Sequence, residues 1–286
     1  MATRSRARSP GRAEAAVRQH TASWVAPVGK VGLAAQGVLY GVVAILALQV
    51  ASGHGQEQPD QTGAIEAVAG QPFGRFLLFV LAVGLALHCV WRLMLAARGD
   101  VVGDDAATIA KRIGQLGRSV LYGGFTVVAT RLLLNTRSSG GGSQESQKAT
   151  ATVLGWPTGP FLVAATGVVV AGVGVWHARK VFTRSFEDDL DLSDASEMTR
   201  KAVLAAGSAG YLARGVAFGL VGWFLVQASV THDPNDAGGL DSALKRVADA
   251  DYGPDLLRLL ALGLLMFGVY RFLDARYRSR EAIANA

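Results

Sequence analysis

Six long apolar blocks, separated by polar connections, dictate what this chain can become. They run approximately over residues 31–50, 76–95, 113–134, 161–181, 203–226 and 256–273. Each is rich in Val, Leu, Ala and Gly and nearly empty of Asp and Glu. A hydrocarbon core about 30 Å thick is spanned by roughly 20 apolar residues in helical form, so each block reads as a transmembrane helix. The last is the shortest, and Arg258 near its start can snorkel to the interface. Alternating polarity is absent, which excludes a membrane β-barrel. Charged residues make up 17% of the 286-residue chain, well below the quarter or so of soluble domains. The expected fold class is all-α: a polytopic membrane protein of six transmembrane helices.

Orientation follows from Lys and Arg in the connections. Counted for six helices, the two termini and connections 2–3 and 4–5 carry eighteen of them, the opposite loops and nearby helix ends seven. Both termini are therefore expected in the cytoplasm, with the chain in a bacterial plasma membrane. Residues 1–27 are basic, but no apolar core or cleavage site follows promptly, so they read as a disordered cytoplasmic tail rather than a signal peptide. The tail arginines suit anionic lipid headgroups. Although the formal net charge is +6, it forms no folded basic patch, and the expected partner is the lipid bilayer, not nucleic acid.

The blocks repeat. The leading helices superimpose without gaps as Gly32-LAA-Gln36-Gly37-VL-Tyr40-Gly41, Gly114-QLG-Arg118-Ser119-VL-Tyr122-Gly123 and Gly210-YLA-Arg214-Gly215-VA-Phe218-Gly219. In the second helices Gly74, Gly159 and Gly253 are each followed 17 residues later by Trp91-Arg92, Trp176-His177 and Tyr270-Arg271. Two anchors with constant spacing define three tandem copies, at 28–98, 111–183 and 200–278, within one membrane domain. Three repeated hairpins suggest a pseudo-threefold arrangement about the membrane normal. Between the helices of each pair, short apolar elements near 64–70, 150–155 and 240–247 read either as amphipathic short helices or as simple loops. The polar run at 138–146 reads as a linker.

These residues resemble a family of bacterial membrane proteins catalogued as domain of unknown function 1206. The resemblance implies three tandem two-helix modules, typically actinobacterial, with a Gly-Arg-Gly signature in each leading helix. Arg214-Gly215 fits that signature best, while the first copy departs at Gln36 and the second at Ser119. No activity comes with the resemblance.

On a helical wheel of about 100° per residue with Gly37 at zero, Gly41 falls near about +40° and Gln36 near about −100°. The bulky residues occupy the other side and form a lipid face. Small-xxx-small pairs recur as Gly37/Gly41, Ser119/Gly123 and Gly215/Gly219, the spacing that lets membrane helices approach closely. Arg118 and Arg214 lie beside that packing face. A charge inside the membrane costs several kcal/mol and normally faces protein or water. Two readings stay open for them. Each bonds backbone carbonyls, Asp274, a loop carboxylate or headgroups; or, with Arg92, His177, Arg271 and Gln36, they form a cytoplasm-facing cluster for an anion or lipid headgroup.

Cys89 is the single cysteine, which excludes an internal disulfide and a cysteine zinc cluster. It reads as a buried, inert thiol. His88 and Cys89 are adjacent and so point about 100° apart, a poor metal pair. No nucleophile elbow, catalytic dyad or glycine-rich nucleotide motif occurs, so no enzyme, cofactor or metal is expected. The function expected is a non-catalytic scaffold or lipid- or ligand-binding membrane protein. The alternative is a small-solute or anion transporter or channel.

Overall fold

The computed structural model of the chain describes residues 12–53, 59–70, 74–98, 106–134, 142–237, 239–249 and 251–279. Every element longer than one turn among them is an α-helix. Six are long: α1 (Arg12–Ala51), α3 (Gly74–Arg98), α4 (Ala106–Leu133), α6 (Gly159–Thr183), α7 (Glu197–Thr231) and α9 (Gly253–Tyr277). Three are short and join the long helices of each repeat: α2 (Gln61–Ala69), α5 (Gly142–Leu154) and α8 (Leu240–Ala248).

Five of the long helices are long and apolar enough to cross a membrane: α1 from Pro27, α3, α6, α7 and α9. The remaining long helix, α4, is of similar length but carries Lys111, Arg112, Arg118 and Arg131. The tail assigned to residues 1–27 falls partly on residues 1–11, which lie outside the described residues. The rest falls on the first turns of α1, whose side chains are described from Pro27 onward.

The three short connecting elements are helices rather than simple loops. The linker expected at 138–146 gives way to α5 from Gly142. Asp60 starts α2 by accepting a hydrogen bond from the Gly63 N–H at 2.7 Å, satisfying a donor that the helix itself leaves unpaired. Each short helix then turns sharply onto the next long one. At Gly74, Gly159 and Gly253 a Cβ atom would collide with backbone carbonyls of the preceding helix, which is why glycine stands at this anchor in all three copies.

The long helices do not pair most closely within a repeat. The interfaces that run deepest are α3 with α4, α6 with α7, and α9 with α1, each joining the second helix of one copy to the first helix of the next. Here the small residues do their work. A Cβ at Gly268 in α9 would meet the Gly37 carbonyl at 2.9 Å and the Gly41 N at 3.2 Å, and one at Gly174 in α6 would meet the Gly215 carbonyl at 2.7 Å and the Gly219 N at 2.9 Å. The first residue of each small pair is tight, since a Cβ at Gly37 or Gly215 would come within 2.9 Å of a neighbour. The second is not: Gly41 and Gly219 have open space where a Cβ would sit. Equal roles for the two members of a pair, expected from spacing, thus divide into one steric site and one backbone contact.

The third interface solves the same geometry with other chemistry. Cys89 stands in α3 where Gly174 and Gly268 stand in their helices, and Ser119 stands in α4 where Gly37 and Gly215 do. Their side chains meet at 3.2 Å, and the Ser119 hydroxyl donates to the Cys89 carbonyl at 3.2 Å. A thiol and a hydroxyl fill the volume that two glycines leave empty elsewhere and satisfy each other.

Within the repeats, α1 packs on α3 and α7 on α9, but α4 and α6 are not a packed pair. In repeats 1 and 3 the leading glycine is clamped: a Cβ at Gly32 would strike His88, and one at Gly210 would strike Phe267. The corresponding Gly114 has open space before it, and so does Gly117. Exposure agrees. Leu39 and Ala217 are 1% and 5% exposed, while Leu121 at the same repeat position is 52% exposed. His88 and Phe267 are fully buried, while their counterpart Val173 is 37% exposed. The hairpin of the second repeat is open where the other two are closed.

Candidate functional site

The charged and polar residues of the repeats divide into two groups, one satisfied and one not. The satisfied group is a continuous hydrogen-bonded chain through the bundle. Arg271 donates through Nε to Gln36 Oε1 at 2.8 Å, and through a second nitrogen to the same oxygen. It also pairs with Asp274 at 2.7 Å, whose other oxygen accepts from Arg278 at 2.7 Å. Arg278 reaches Asp189 of the α6–α7 connection at 3.1 Å.

With Gln36 Oε1 occupied by arginine, its Nε2 faces His88 Nε2 at 2.7 Å. Arg92 Nε approaches the same histidine nitrogen at 3.3 Å. Two donors on one nitrogen assign His88 Nε2 as the acceptor and place its proton on Nδ1, which is buried with no partner among the described residues. Arg92 also donates to Gln115 at 2.8 Å. Gln36 is 1% exposed and Asp274 0%; Arg271 and Arg278 are paired with Asp274, and Arg92 is hydrogen-bonded to neutral side chains.

Local spacing made part of it legible. Arg271–Asp274, Asp274–Arg278 and His88–Arg92 lie three or four residues apart on one helix, where side chains meet. The Gln36–Arg271 link spans the chain from first helix to last and needed the α9–α1 interface.

Arg118, Arg214 and His177 stand outside this chain. By repeat position Gln36–Arg271, Arg118–Arg92 and Arg214–His177 are equivalent pairs. Only the first is a donor with an acceptor. In the second two arginines face each other, and Arg92 turns instead to His88 and Gln115. In the third Arg214 faces a histidine whose Nδ1 is already used on the Val173 carbonyl at 3.0 Å.

Neither Arg118 nor Arg214 makes a hydrogen bond or ion pair with a described residue, so Asp274 is a counter-ion for Arg271 and Arg278 and not for them. The Arg214 Nε is buried without an acceptor. Its guanidinium sits among aromatic rings instead, with Cζ at 4.5 Å from Phe267, 5.0 Å from Tyr40 and 5.3 Å from Phe218. Such contacts attract a cation but accept no conventional hydrogen bonds.

Lys180 joins this group and was missed in the sequence, although it follows Trp176 by four residues on the same helix. Its ammonium lies 4.2 Å from the Trp176 ring and 5.2 Å from Tyr211. The Arg118 guanidinium lies 6.0 Å from the same Trp176 ring. Trp176 and His177 are therefore near cations contributed by α4, α6 and α7. The charges feel one another across the gap, Arg118 most strongly Arg214. The carboxylate in electrostatic reach of Lys180 is Asp189, which Arg278 already holds.

Three cations on three helices, two of them with no acceptor among the described residues, thus lie around Trp176 and His177. The family comparison covers all three copies. Residues 31–99, 113–184 and 209–278 match the family described as Domain of Unknown Function (DUF1206). The chain belongs to the DUF1206 family. Its DUF1206 segments coincide with the three helix pairs, one match per copy. An uncharacterised protein, YxxB, of Bacillus subtilis (strain 168) is 28% identical over 263 residues, covering 92% of this chain and 94% of that protein. No solved structure matches. The DUF1206 matches and the apolar helices make this a multi-pass membrane protein built from three repeats.

Metal binding gains no support from the geometry: among the described residues no cluster of three or more His, Cys, Asp or Glu side chains is placed to hold an ion.

On the loop face, the carboxyls of Asp60 and Asp236 are shifted in opposite directions, that of Asp236 held down by hydrogen bonds from Thr231 and Arg246. Burial pushes the Asp60 carboxyl up from the usual 3.8 to about 6, with Asp241 nearby adding repulsion and the Gly63 N–H opposing both.

Proposed function

We propose that the protein is a non-catalytic anion-binding protein of the bacterial plasma membrane, with six spans and both termini in the cytoplasm. Its ligand sits on the Arg118, Arg214 and Lys180 centre. Two things support the topology: the excess of Lys and Arg on the side of the termini, and the position of α4 in the repeat, equivalent to α1 and α7, which are apolar enough to span. In that orientation Lys180, less than one turn from the end of α6, lies at the cytoplasmic interface.

One observation carries the function: Arg118 and Arg214 have no hydrogen-bond acceptor among the described residues, in a molecule that hydrogen-bonds the equivalent Gln36, Arg92 and Arg271. An unpaired cation at this depth costs several kcal/mol, which a bound anion offsets. A binding role is favoured over a pore because the polar residues at the equivalent first-repeat site are hydrogen-bonded to one another and packed against Tyr122 and Trp91.

The test is inorganic phosphate binding by the purified chain in a zwitterionic detergent, followed by calorimetry. We expect saturable binding that falls at least about tenfold in Arg118→Gln/Arg214→Gln, equivalent to about 1.4 kcal/mol. Equal binding by the folded double variant would refute the reading.

A further inference from the structure

We propose that the opening between α4 and α6 holds one anionic phospholipid. Its phosphate rests on Arg118, Arg214 and Lys180, and an acyl chain runs along the seam. This rests on the anion-binding reading and names its ligand.

The seam has a definite shape. Repeat positions that close the first and third hairpins are small or exposed in the second: Gly114 and Gly117 on α4 with open space in front of them, Leu121 below them, and Val169 and Val173 opposite on α6. Those walls are apolar and open sideways to the bilayer. Membrane helices are held by packing and interhelical hydrogen bonds rather than by the hydrophobic effect, and an apolar seam open to the bilayer is filled by something apolar.

Arg118 lies on α4 between Gly117 and Leu121, and Lys180 lies nearer the end of α6 than Val169 and Val173, so Leu121, Val169 and Val173 continue the seam away from the cations. Trp176, 44% exposed, stands near Arg118 and Lys180 at the level where indoles favour the interface. Cationic head site above, apolar groove below, lateral access from the membrane: this is the order of groups in a phospholipid, and a free phosphate would leave the groove unfilled.

A second copy of the chain fits less well. The apolar blocks are nearly empty of Asp and Glu, and Asp274 is buried between Arg271 and Arg278. Another copy thus brings no carboxylate to this depth. The site is also single. Although the repeats are threefold, the first and third hairpins are closed by His88 against Gly32 and Phe267 against Gly210.

The experiment is native mass spectrometry of the full chain from detergent supplemented with phosphatidylglycerol or phosphatidylcholine. Phosphate binding is measured in parallel on the same preparations. Gly117→Leu and Leu121→Trp fill the seam and keep all three cations in the chain. Val120→Phe is the control, because Val120, like Val38 and Val216 at the same repeat position, is exposed on the lipid side.

We expect one phosphatidylglycerol per chain, retained at least about tenfold over phosphatidylcholine. Gly117→Leu and Leu121→Trp should lose that preference and keep phosphate binding, and Val120→Phe should keep both. Phosphatidylglycerol retention unchanged in both filled variants would overturn the proposal. Phosphate binding with no preference between the lipids would overturn it too, and leave the anion reading standing. Absence of both would overturn the two together. A dimer that Gly117→Leu dissociates would assign the seam to a second copy and overturn it as well.

Discussion

The second repeat and its two neighbours share one sequence pattern but not one packing. In the first and third copies a glycine of the leading helix is pressed against a large buried side chain of the following helix, His88 or Phe267. In the second copy the glycine is kept, the partner is Val173, and the helices stand apart. Cation pairing divides along another line. Gln36, Arg92 and Arg271, of the first and third copies, belong to a hydrogen-bonded network, while Arg118 of the second copy and Arg214 of the third do not. Removing one bulky contact from a repeat opens its hairpin. A repeat that has lost its internal contact is where a symmetric fold gains an individual site.

The contrast predicts unequal costs. The largest should come from the closed network. Asp274→Ala leaves Arg271 and Arg278 without their shared carboxylate in a dry interior, a loss of roughly 3–5 kcal/mol. Thermal unfolding in detergent should register it as a large fall in Tm. A fall no larger than that of Arg118→Gln would break the distinction between paired and unpaired cations.

Next come the glycines. Gly174→Ala and Gly210→Ala force a Cβ into backbone or Phe267, at about 1–3 kcal/mol. Gly114→Ala and Gly117→Ala face open space and should be neutral or slightly stabilising, since alanine favours helix by up to about 1 kcal/mol. Within one small pair, Gly215→Ala should cost more than Gly219→Ala. If all six shift Tm alike, the second hairpin is not open.

A smaller effect sharpens the comparison on the loop face, where α2 of the first repeat is capped by a buried aspartate and α8 of the third begins at Gly239 without a side-chain cap. The Asp60 carboxyl titrates near about 6 when folded, above its usual 3.8. The unfolded chain therefore ionises it first. The cost of ionising it in the fold grows as pH rises from 3.8 to about 6 and is complete above that. Stability should rise on going from pH 7 to pH 5, by an amount on the order of 1 kcal/mol. Asp60→Asn, which keeps the cap, should remove that increment. A pH profile unchanged in Asp60→Asn would assign the dependence elsewhere.

Much of the fold was legible in the sequence, because membrane helices, small-residue spacing and internal repeats are local patterns. The apolar blocks, the three copies and the glycines before α3, α6 and α9 all follow from spacing. What spacing does not carry is which helices meet. The small pairs bind the neighbouring repeat rather than the helix of their own hairpin, and Cys89 with Ser119 replaces two glycines only once α3 and α4 are placed together. The candidate cations were all recognisable by type and depth. Their division into paired and unpaired was not, since Asp274 is claimed by Arg271 and Arg278 through contacts spanning the chain. Lys180 was passed over because it sits at a helix end, where a lysine reads as an ordinary interface anchor.

The unequal repeats are tested most directly by a diazirine analogue of leucine placed at position 121 or 39 in living membranes, irradiated, and analysed by intact mass. The two residues are the same amino acid at the same repeat position. The account predicts phospholipid adducts at 121 and only internal crosslinks at 39. Internal crosslinks to α6 at 121, or lipid adducts at both positions, would contradict it.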